Sequence, residues 1–206
     1  MNEHVAIASP VSKTTRAAEG LDRRCWSVAE IEAMVSAGIL AEDERFELIG
    51  GEVVPTSPKG PYHEWIKIEL NRFWQRAAPD HLQIAPETTL WLDEYTFVEP
   101  DFWVHARVAG PRKTTGADML LAIEVADSSL AYDLGRKIGV YAAYGVPEVW
   151  VIDARTLVTR VHRALGAAGY AEIVNIPHDQ PLVSILAPEL AVTLREIGLE
   201  PAHEQA

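Results

Sequence analysis

The sequence predicts a mixed α/β (α+β) domain with a central β-sheet and helices on its faces. Short apolar runs rich in Val, Ile and aromatic residues recur along the chain, and they have the length of strands. Between them lie segments in which apolar residues recur every three or four positions, as in amphipathic helices. The order of helix, hairpin, helix, strands, helix and strands is typical of a domain in which helices cover a sheet.

Capping signals and apolar spacing define the predicted helices. Ser27 and Glu30 have the spacing of a capping box, and Gly38 is a suitable terminator after them. In the second helix, Ile66 belongs to an apolar stripe that leaves Lys67 on the outer side. The predicted helices are 28–37, 63–77, 130–144 and a short one at 188–197.

The predicted strands begin with a hairpin over residues 46–54, which turns at a Gly-Gly pair. Further strands are predicted at 82–92, 96–105, 118–126, 147–153, 157–163 and 170–176. These elements place one domain over residues 25–198. We expect residues 1–24 to be a disordered N-terminal tail and residues 199–206 to be a C-terminal tail.

Composition limits the classes of function. The formal net charge is −12, which argues against a broad nucleic-acid-binding surface because such surfaces are normally basic. The single cysteine, Cys25, excludes an internal disulfide framework and a Cys-rich zinc site. Because the sequence shows no signal peptide and no apolar run of about 20 residues, we expect a cytoplasmic protein without a membrane partner. If the protein binds nucleic acid, its positive charge must lie around a cleft, for which the candidates are Lys59, Arg72, Arg76, Lys113 and Arg136.

Two acidic residues interrupt apolar, strand-like runs. Asp101 lies in the run 98–104, and Glu124 lies in the run 119–126. A carboxylate in such a run is costly to bury unless it is paired, protonated or bound to a metal. If the two strands are neighbours in register, Asp101 and Glu124 converge at one end of the sheet, where a hard divalent cation such as Mg²⁺ would relieve their repulsion. The alternative is that Asp101 begins a turn and Glu124 pairs with an arginine.

The third predicted helix brings a lysine to the same region. Lys137 falls within the apolar stripe that includes Tyr141, and a lysine aimed at the sheet needs an anionic partner, for which Glu124 is available. Ser128 or Ser129 would cap this helix near the end of the Glu124 strand, where free backbone N–H groups favour a phosphate. Acids, a lysine and a helix start together suit phosphodiester cleavage. A purely structural ion pair is the alternative.

Longer motifs extend this argument. They are FELIGGEVV at 46–54, SP at 57–58 followed by His63, PD at 100–101, EVADSS at 124–129, DLGRK at 133–137 and YAAYGVPEVWVID at 141–153. The two strand acids with a helical lysine resemble the PD-(D/E)xK nuclease superfamily. The full set of motifs resembles one branch of this superfamily, the Uma-two family of restriction-endonuclease-like proteins. The resemblance covers roughly residues 26–195 and is most specific over residues 124–153.

The resemblance implies a restriction-endonuclease-like core with a mixed central β-sheet flanked by helices. It implies Mg²⁺ or Mn²⁺ at Asp101 and Glu124, a catalytic Lys137, an assisting upstream acid at Glu47, and DNA as the substrate. His63 matches a recurrent histidine of the family, and a helix-start residue satisfied by local hydrogen bonds is its alternative role. A homodimer follows only by analogy with restriction-like enzymes that cut both strands.

One departure from the superfamily pattern leaves the function open. The superfamily places its lysine two residues after the acid on the same strand, where this chain has Ala126. If Lys137 replaces that lysine from the helix, the site of a metal-dependent DNA endonuclease is complete. Otherwise the chain is a catalytically silent nuclease-fold protein used for binding or assembly, which the net charge also favours. A metal-dependent hydrolase of small phosphoesters is a third possibility, and it would need a closed pocket.

Overall fold

The computed structural model describes residues 14–16, 22–56, 58–108 and 114–202. The strands of these residues are β1 Thr14–Arg16, β2 Asp22–Arg24, β3 Phe46–Ile49, β4 Glu52–Pro55, β5 Leu82–Pro86, β6 Leu90–Asp93, β7 Thr96–Val98, β8 Phe102–Ala106, β9 Met119–Ala126, β10 Val149–Asp153, β11 Thr159–Gly166, β12 Gly169–Ile176, β13 Pro181–Leu182 and β14 Val192–Thr193. The helices are α1 Val28–Ser36, α2 Pro61–Ala77 and α3 (130–143), which consists of Leu130–Tyr132, the π-helical Asp133–Lys137 and Ile138–Ala143.

Ten of these strands form a large mixed sheet and a smaller antiparallel one, and the other four form the separate pairs β1–β2 and β13–β14. The large sheet has the order β12–β11–β10–β9–β8–β5, and the small sheet has the order β4–β3–β7–β6. In the large sheet β9 and β10 are parallel, and the other neighbouring strands are antiparallel. The fold is therefore a restriction-endonuclease-like core with a mixed central sheet flanked by helices.

The two faces of β9 contact different layers. On one face, Ile123 belongs to a buried cluster with Ile66 and Trp74 of α2. On the other face, Ala122 and Ala126 belong to a cluster with Tyr141 of α3 and with residues of the small sheet. Because β9 is covered on both sides, its sequence is almost continuously apolar, and Glu124 is the charged exception.

Several predicted elements are confirmed. Helix α1 begins after Ser27, and the capping box with Glu30 is present in full. The hairpin of β3 and β4 turns at Gly50 and Gly51, which both have positive φ angles. Strands β9 to β12 lie within a few residues of their predicted bounds. Helix α2 begins two residues earlier than predicted because Pro61, which suits the first turn, starts it.

The predicted strands 82–92 and 96–105 are each wrong as single strands. The first breaks after Pro86, where Glu87 has a φ angle of +44° that turns the chain from the large sheet into the small one. The second breaks at residues 99–101, where the chain returns to the large sheet before β8. Strands β6 and β7 therefore belong to the small sheet. Glu87 lies where the chain leaves the large sheet, and Asp101 lies where it returns.

The C-terminal region and the tails also differ from expectation. The helix predicted at 188–197 is two 3₁₀ turns, Pro188–Leu190 and Arg195–Ile197, separated by β14. Leu199, assigned to the C-terminal tail, is fully buried in the α2 cluster, whereas residues 203–206 lie outside the described residues. Most of the tail predicted over 1–24 also lies outside them, and its described parts pair as β1 and β2. In the described part of the chain, no helix is both long enough and apolar enough to cross a membrane.

Candidate active site

A cleft of about 390 Å³ opens beside the ends of β8 and β9. Its walls come from the β3–β4 hairpin, the start of α2, the two strand ends and the first turns of α3. All five residues predicted for the site line it: Glu47, His63, Asp101, Glu124 and Lys137. The structure therefore brings the predicted residues together, although they are up to 90 positions apart in the sequence.

Strand register places Asp101 and Glu124 side by side. Phe102 pairs with Ile123 across the antiparallel β8–β9 ladder, so the residues before and after them face each other at its end. The Asp101 Oδ2 atom accepts a hydrogen bond of 2.8 Å from the backbone N–H of Val125. Both acids are buried, with 5% and 3% of their surface exposed. Asp101 and Glu124 therefore converge at one end of the sheet, as expected.

Lys137 bridges two of the buried acids. Its Nζ atom lies 2.9 Å from Glu47 Oε1 and 2.9 Å from Glu124 Oε1. Each carboxylate has a further tyrosine donor, because Tyr132 donates to Glu47 Oε2 at 3.2 Å and the Tyr141 hydroxyl donates to Glu124 Oε1. The alternative in which Glu124 pairs with an arginine is thereby excluded, since its cationic partner is Lys137.

The fold explains why this lysine comes from a helix. Ala126 occupies the strand position where the superfamily has its lysine, and it is fully buried in the cluster that contains Tyr141. Lys137 ends the π-helical segment of α3, and such segments recur at functional sites. The cleft therefore receives the amine from α3, which packs against the face of β9 that carries Ala122 and Ala126.

Burial and mutual repulsion control the protonation of this cluster. Burial raises the pKa of Glu124 to about 8, and the charges of Asp133, Asp101 and Glu47 add to this in spite of Lys137. Burial alone would lower the pKa of Lys137, but the surrounding carboxylates raise this pKa well above its ordinary value. Lys137 is therefore charged at neutral pH, and the surrounding acids exceed it in number.

Asp101 has cationic partners of its own. Its Oδ1 atom lies 3.0 Å from His63 Nε2 and 3.1 Å from Lys59 Nζ. Burial would raise the pKa of Asp101, but the hydrogen bond and charge of His63, with Lys59 and the Val125 N–H, lower it to about 2. His63 also contacts Glu64 through Nδ1 at 3.2 Å. His63 thus combines the local contact of a helix-start residue with a direct contact to Asp101.

Sequence reasoning missed several charged residues here. Asp133, which was not predicted for the site, is buried and accepts a hydrogen bond from Ser129 at 2.5 Å. Ser129 occupies the predicted N-cap position, but its side chain donates to Asp133 and does not cap a backbone N–H. Lys67, predicted to lie on the outer side of α2, is also buried.

The predicted basic rim is mostly wrong. Of the four candidates that the structure describes, Lys59 alone lines the cleft, and Arg45, which was not predicted, joins it. Arg72 and Arg76 line a different concavity, beside β14. Arg136 pairs with Glu52 at the surface. The fifth candidate, Lys113, lies outside the described residues.

Comparison with known proteins adds a family to this geometry. A family model, Uma2, described as "Putative restriction endonuclease", matches residues 28–195. The chain belongs to the Uma2 family. No curated protein matches the chain. The Uma2 chain is similar in fold to a crystal structure titled a putative nuclease belonging to DUF820 from Anabaena variabilis, with a TM-score of 0.60 and 16% identity over 79% of this chain and 94% of that one.

The acids of the Uma2 cleft have donor atoms of the type that a hard divalent cation prefers. Among the described residues no three His, Cys, Asp or Glu side chains converge as a ready set of metal ligands. Magnesium, however, is commonly held by one or two carboxylates, with water and substrate phosphates completing its shell. Asp101 and Glu124 face each other at the end of the β8–β9 ladder and line one cleft, so both can offer oxygen atoms to the same ion. The residues present therefore fit such an ion.

Proposed function

We propose that this Uma2 protein is a metal-dependent DNA endonuclease that hydrolyses phosphodiester bonds. The observation that carries this proposal is the position of Lys137, whose amine lies 2.9 Å from both Glu47 and Glu124 in a cleft that Asp101 also lines. Two strand carboxylates can hold a divalent cation, and the charged amine beside them is suited to stabilising a phosphoryl group that gains negative charge. Membership of a family described as restriction endonucleases supports the same chemistry.

Asp101 and Glu124 would hold Mg²⁺ or Mn²⁺. When bound, such an ion polarises a phosphoryl oxygen and lowers the pKa of a water molecule. His63 and the Val125 N–H fix the orientation of the Asp101 carboxylate, and Tyr141 fixes that of Glu124. These contacts hold both carboxylates in place before substrate arrives, which reduces the reorganisation that catalysis would otherwise require.

Lys137 acts as a cation in this proposal. Its pKa is raised well above the ordinary value by the carboxylates around it, so it cannot accept a proton from water at neutral pH. It would therefore orient the attacking water through a hydrogen bond or stabilise the charge that develops on the phosphorus oxygens. Glu47 positions the amine, because its own carboxylate is fixed by the Glu99 N–H at 2.9 Å and by Tyr132.

The shape of the cleft supports a polymeric substrate over a small phosphoester. The cleft is open beside Arg45, whose side chain is 52% exposed, and a hydrolase of small molecules would need a closed pocket. DNA as the substrate and a homodimer as the active form remain expectations, the second by analogy with enzymes that cut both strands.

A catalytically silent protein is the second candidate. It is favoured by the complete pairing of Lys137 between two carboxylates and by a net charge of −12. Incubation of plasmid and single-stranded DNA with Mg²⁺, Mn²⁺ or EDTA distinguishes the two. Cleavage that EDTA abolishes supports the endonuclease, whereas intact DNA under all three conditions, with a folded protein, supports the silent scaffold.

The metal ligands can be tested without a cleavage assay. Asp101→Asn is expected to weaken Mn²⁺ binding more than about tenfold, because one of two charged oxygen ligands is replaced by a neutral amide. Isothermal titration calorimetry measures the change, and the melting temperature with and without Mn²⁺ gives a second reading, since an ion that binds only the folded state stabilises it. Asp80→Asn, an exposed acid outside the cleft, is the matched control. Equal Mn²⁺ affinity in all three proteins would contradict the assignment.

A further inference from the structure

Three basic side chains converge on one carboxylate oxygen at the edge of the cleft. The oxygen is Glu87 Oε1, which lies 2.6 Å from Lys67 Nζ and 3.5 Å from Arg45 Nη2. Lys59 Nζ also donates a hydrogen bond to it. A single carboxylate oxygen seldom needs three cations, and such a group of donors matches the several acceptor oxygens of a phosphate.

This basic cluster, defined as Arg45, Lys59 and Lys67, lies beside the proposed reaction centre. Lys59 Nζ contacts Asp101 Oδ1 at 3.1 Å as well as Glu87, so one amine joins the two carboxylates. The backbone N–H of Glu87 donates to the carbonyl of Asp101 at 3.1 Å. An anion in the place of the Glu87 carboxylate would therefore contact the same lysine amine that contacts Asp101.

The two lysines are more deeply buried than the anion that they contact. The side chain of Lys67 is 8% exposed and that of Lys59 is 21% exposed, whereas those of Glu87 and Arg45 are 39% and 52% exposed. Lys67 and Arg45 have second acidic neighbours, Glu64 at 3.4 Å and Glu99 at 3.9 Å, which would keep them in place if Glu87 moved. The carboxylate of Glu87 is thus the exchangeable member of the group.

The backbone of Glu87 supports a functional reason for its position. Its φ angle of +44° is uncommon for a residue with a long side chain. Residues held in such sparsely populated conformations cluster at binding and switch sites, because the surrounding structure must compensate for their cost. Here the conformation places the carboxylate at the point where the chain leaves the large sheet, over the basic cluster.

We propose that Arg45, Lys59 and Lys67 bind a phosphate group of the nucleic-acid strand next to the phosphate that is hydrolysed, and that Glu87 occupies this subsite until the strand displaces it. The proposal rests on the proposed function for the class of ligand. The phosphate belongs to the interior of the strand or to its 5′ end, since both offer the same acceptor oxygens. The Glu87 carboxylate thus competes with the phosphate for the basic cluster, which weakens binding of any strand that cannot fill the subsite.

Glu87→Gln tests the proposal in a binding experiment that does not require cleavage. The amide keeps the shape of the side chain but leaves the basic cluster without its competing charge, so affinity for a short DNA duplex is expected to rise about tenfold at low salt. Fluorescence anisotropy with Ca²⁺ in place of Mg²⁺ measures this. Glu196→Gln, an exposed acid beside a different concavity, changes the net charge equally and is expected to leave affinity almost unchanged.

A second substitution shows whether the gain comes from the basic cluster. Lys67→Met in the Glu87→Gln background is expected to remove the gain in affinity. Arg45→Gln, at an exposed position where folding is not at risk, is expected to weaken binding several-fold in the wild-type background while the melting temperature stays unchanged. Duplexes with a 5′-phosphate, duplexes with a 5′-hydroxyl and closed-circular DNA distinguish the two sources. A gain limited to the first indicates the strand end, and an equal gain in all three indicates an internal phosphate.

Clear results would overturn the proposal. They are an unchanged or weaker affinity in folded Glu87→Gln, an equal gain in Glu196→Gln, or full affinity in Arg45→Gln. Absence of DNA binding in the wild type and in Glu87→Gln alike overturns it as well. If DNA binds with the expected changes in affinity but is not cleaved with Mg²⁺, the proposed endonuclease activity is contradicted and the phosphate subsite is still supported.

Discussion

Lys137→Met is expected to reduce DNA cleavage about a thousandfold while DNA binding persists, since loss of one preorganised donor to developing charge has an effect of this size. The methionine has a similar length and no charge, so the cleft keeps its shape. The amine that lies 2.9 Å from both Glu47 and Glu124 is lost. Single-turnover cleavage with Mg²⁺ measures the rate, and anisotropy with Ca²⁺ measures binding.

The same substitution is expected to lower stability. On its own, removal of a desolvated charge would cost little. The structure instead leaves two buried carboxylates facing each other without their cation, and breaking a buried pair in this way costs about 3–5 kcal/mol. The melting temperature should therefore fall, and it should fall more at pH 8 than at pH 6 because protonation of one acid relieves the repulsion.

A compensated variant separates the structural part from the catalytic part. Lys137→Met with Glu47→Gln removes one negative and one positive charge, so most of the lost stability is expected to return while cleavage stays absent. Arg136→Met is the neighbouring control, because Arg136 is exposed and pairs with Glu52 away from the cleft. Recovery of cleavage in the double variant would mean that Lys137 is only the structural partner of these acids.

Local sequence signals were sufficient for most of the fold and for the centre of the site. Asp101 and Glu124 were recognisable because a charge inside an apolar run has to be explained, and the register of β8 and β9 brought them together as expected. Lys137 was recognisable because it interrupts an apolar stripe. Each inference needed only the regular repeat of side-chain directions along a single helix or strand.

The missed residues depend on contacts that a local pattern does not contain. Lys67 follows Ile66 on α2 and looks solvated, yet Glu87, from a connection 20 residues further on, covers it. That connection was itself missed, because residues 82–92 have a strand-like composition and nothing marks the break at Glu87. Asp133 is a different case, because it lies four positions before Lys137, and ordinary helical spacing already places it beside that buried lysine.

The pH dependence of stability tests the charge balance of the site without any substrate. In EDTA, the free energy of unfolding is expected to fall by about 4 kcal/mol between pH 5 and pH 8, because a tenfold difference in proton affinity between the folded and unfolded chains corresponds to about 1.4 kcal/mol. Glu124 has a pKa of about 8 in the folded chain and an ordinary value of 4.5. The folded chain therefore keeps a proton that the unfolded chain releases, so this stabilisation is complete below pH 4.5 and is lost as the pH rises through 8.

Glu124→Gln identifies the group responsible. The amide is neutral at every pH, so most of the decline should disappear, and the variant should be more stable than the wild type at pH 8.5. A small decline should remain, because burial also raises the pKa of Asp133. Thermal unfolding across this pH range measures the effect, with the exposed Glu196→Gln as a control whose profile follows the wild type. A flat wild-type profile from pH 5 to pH 8 would mean that Lys137 keeps Glu124 ionised throughout.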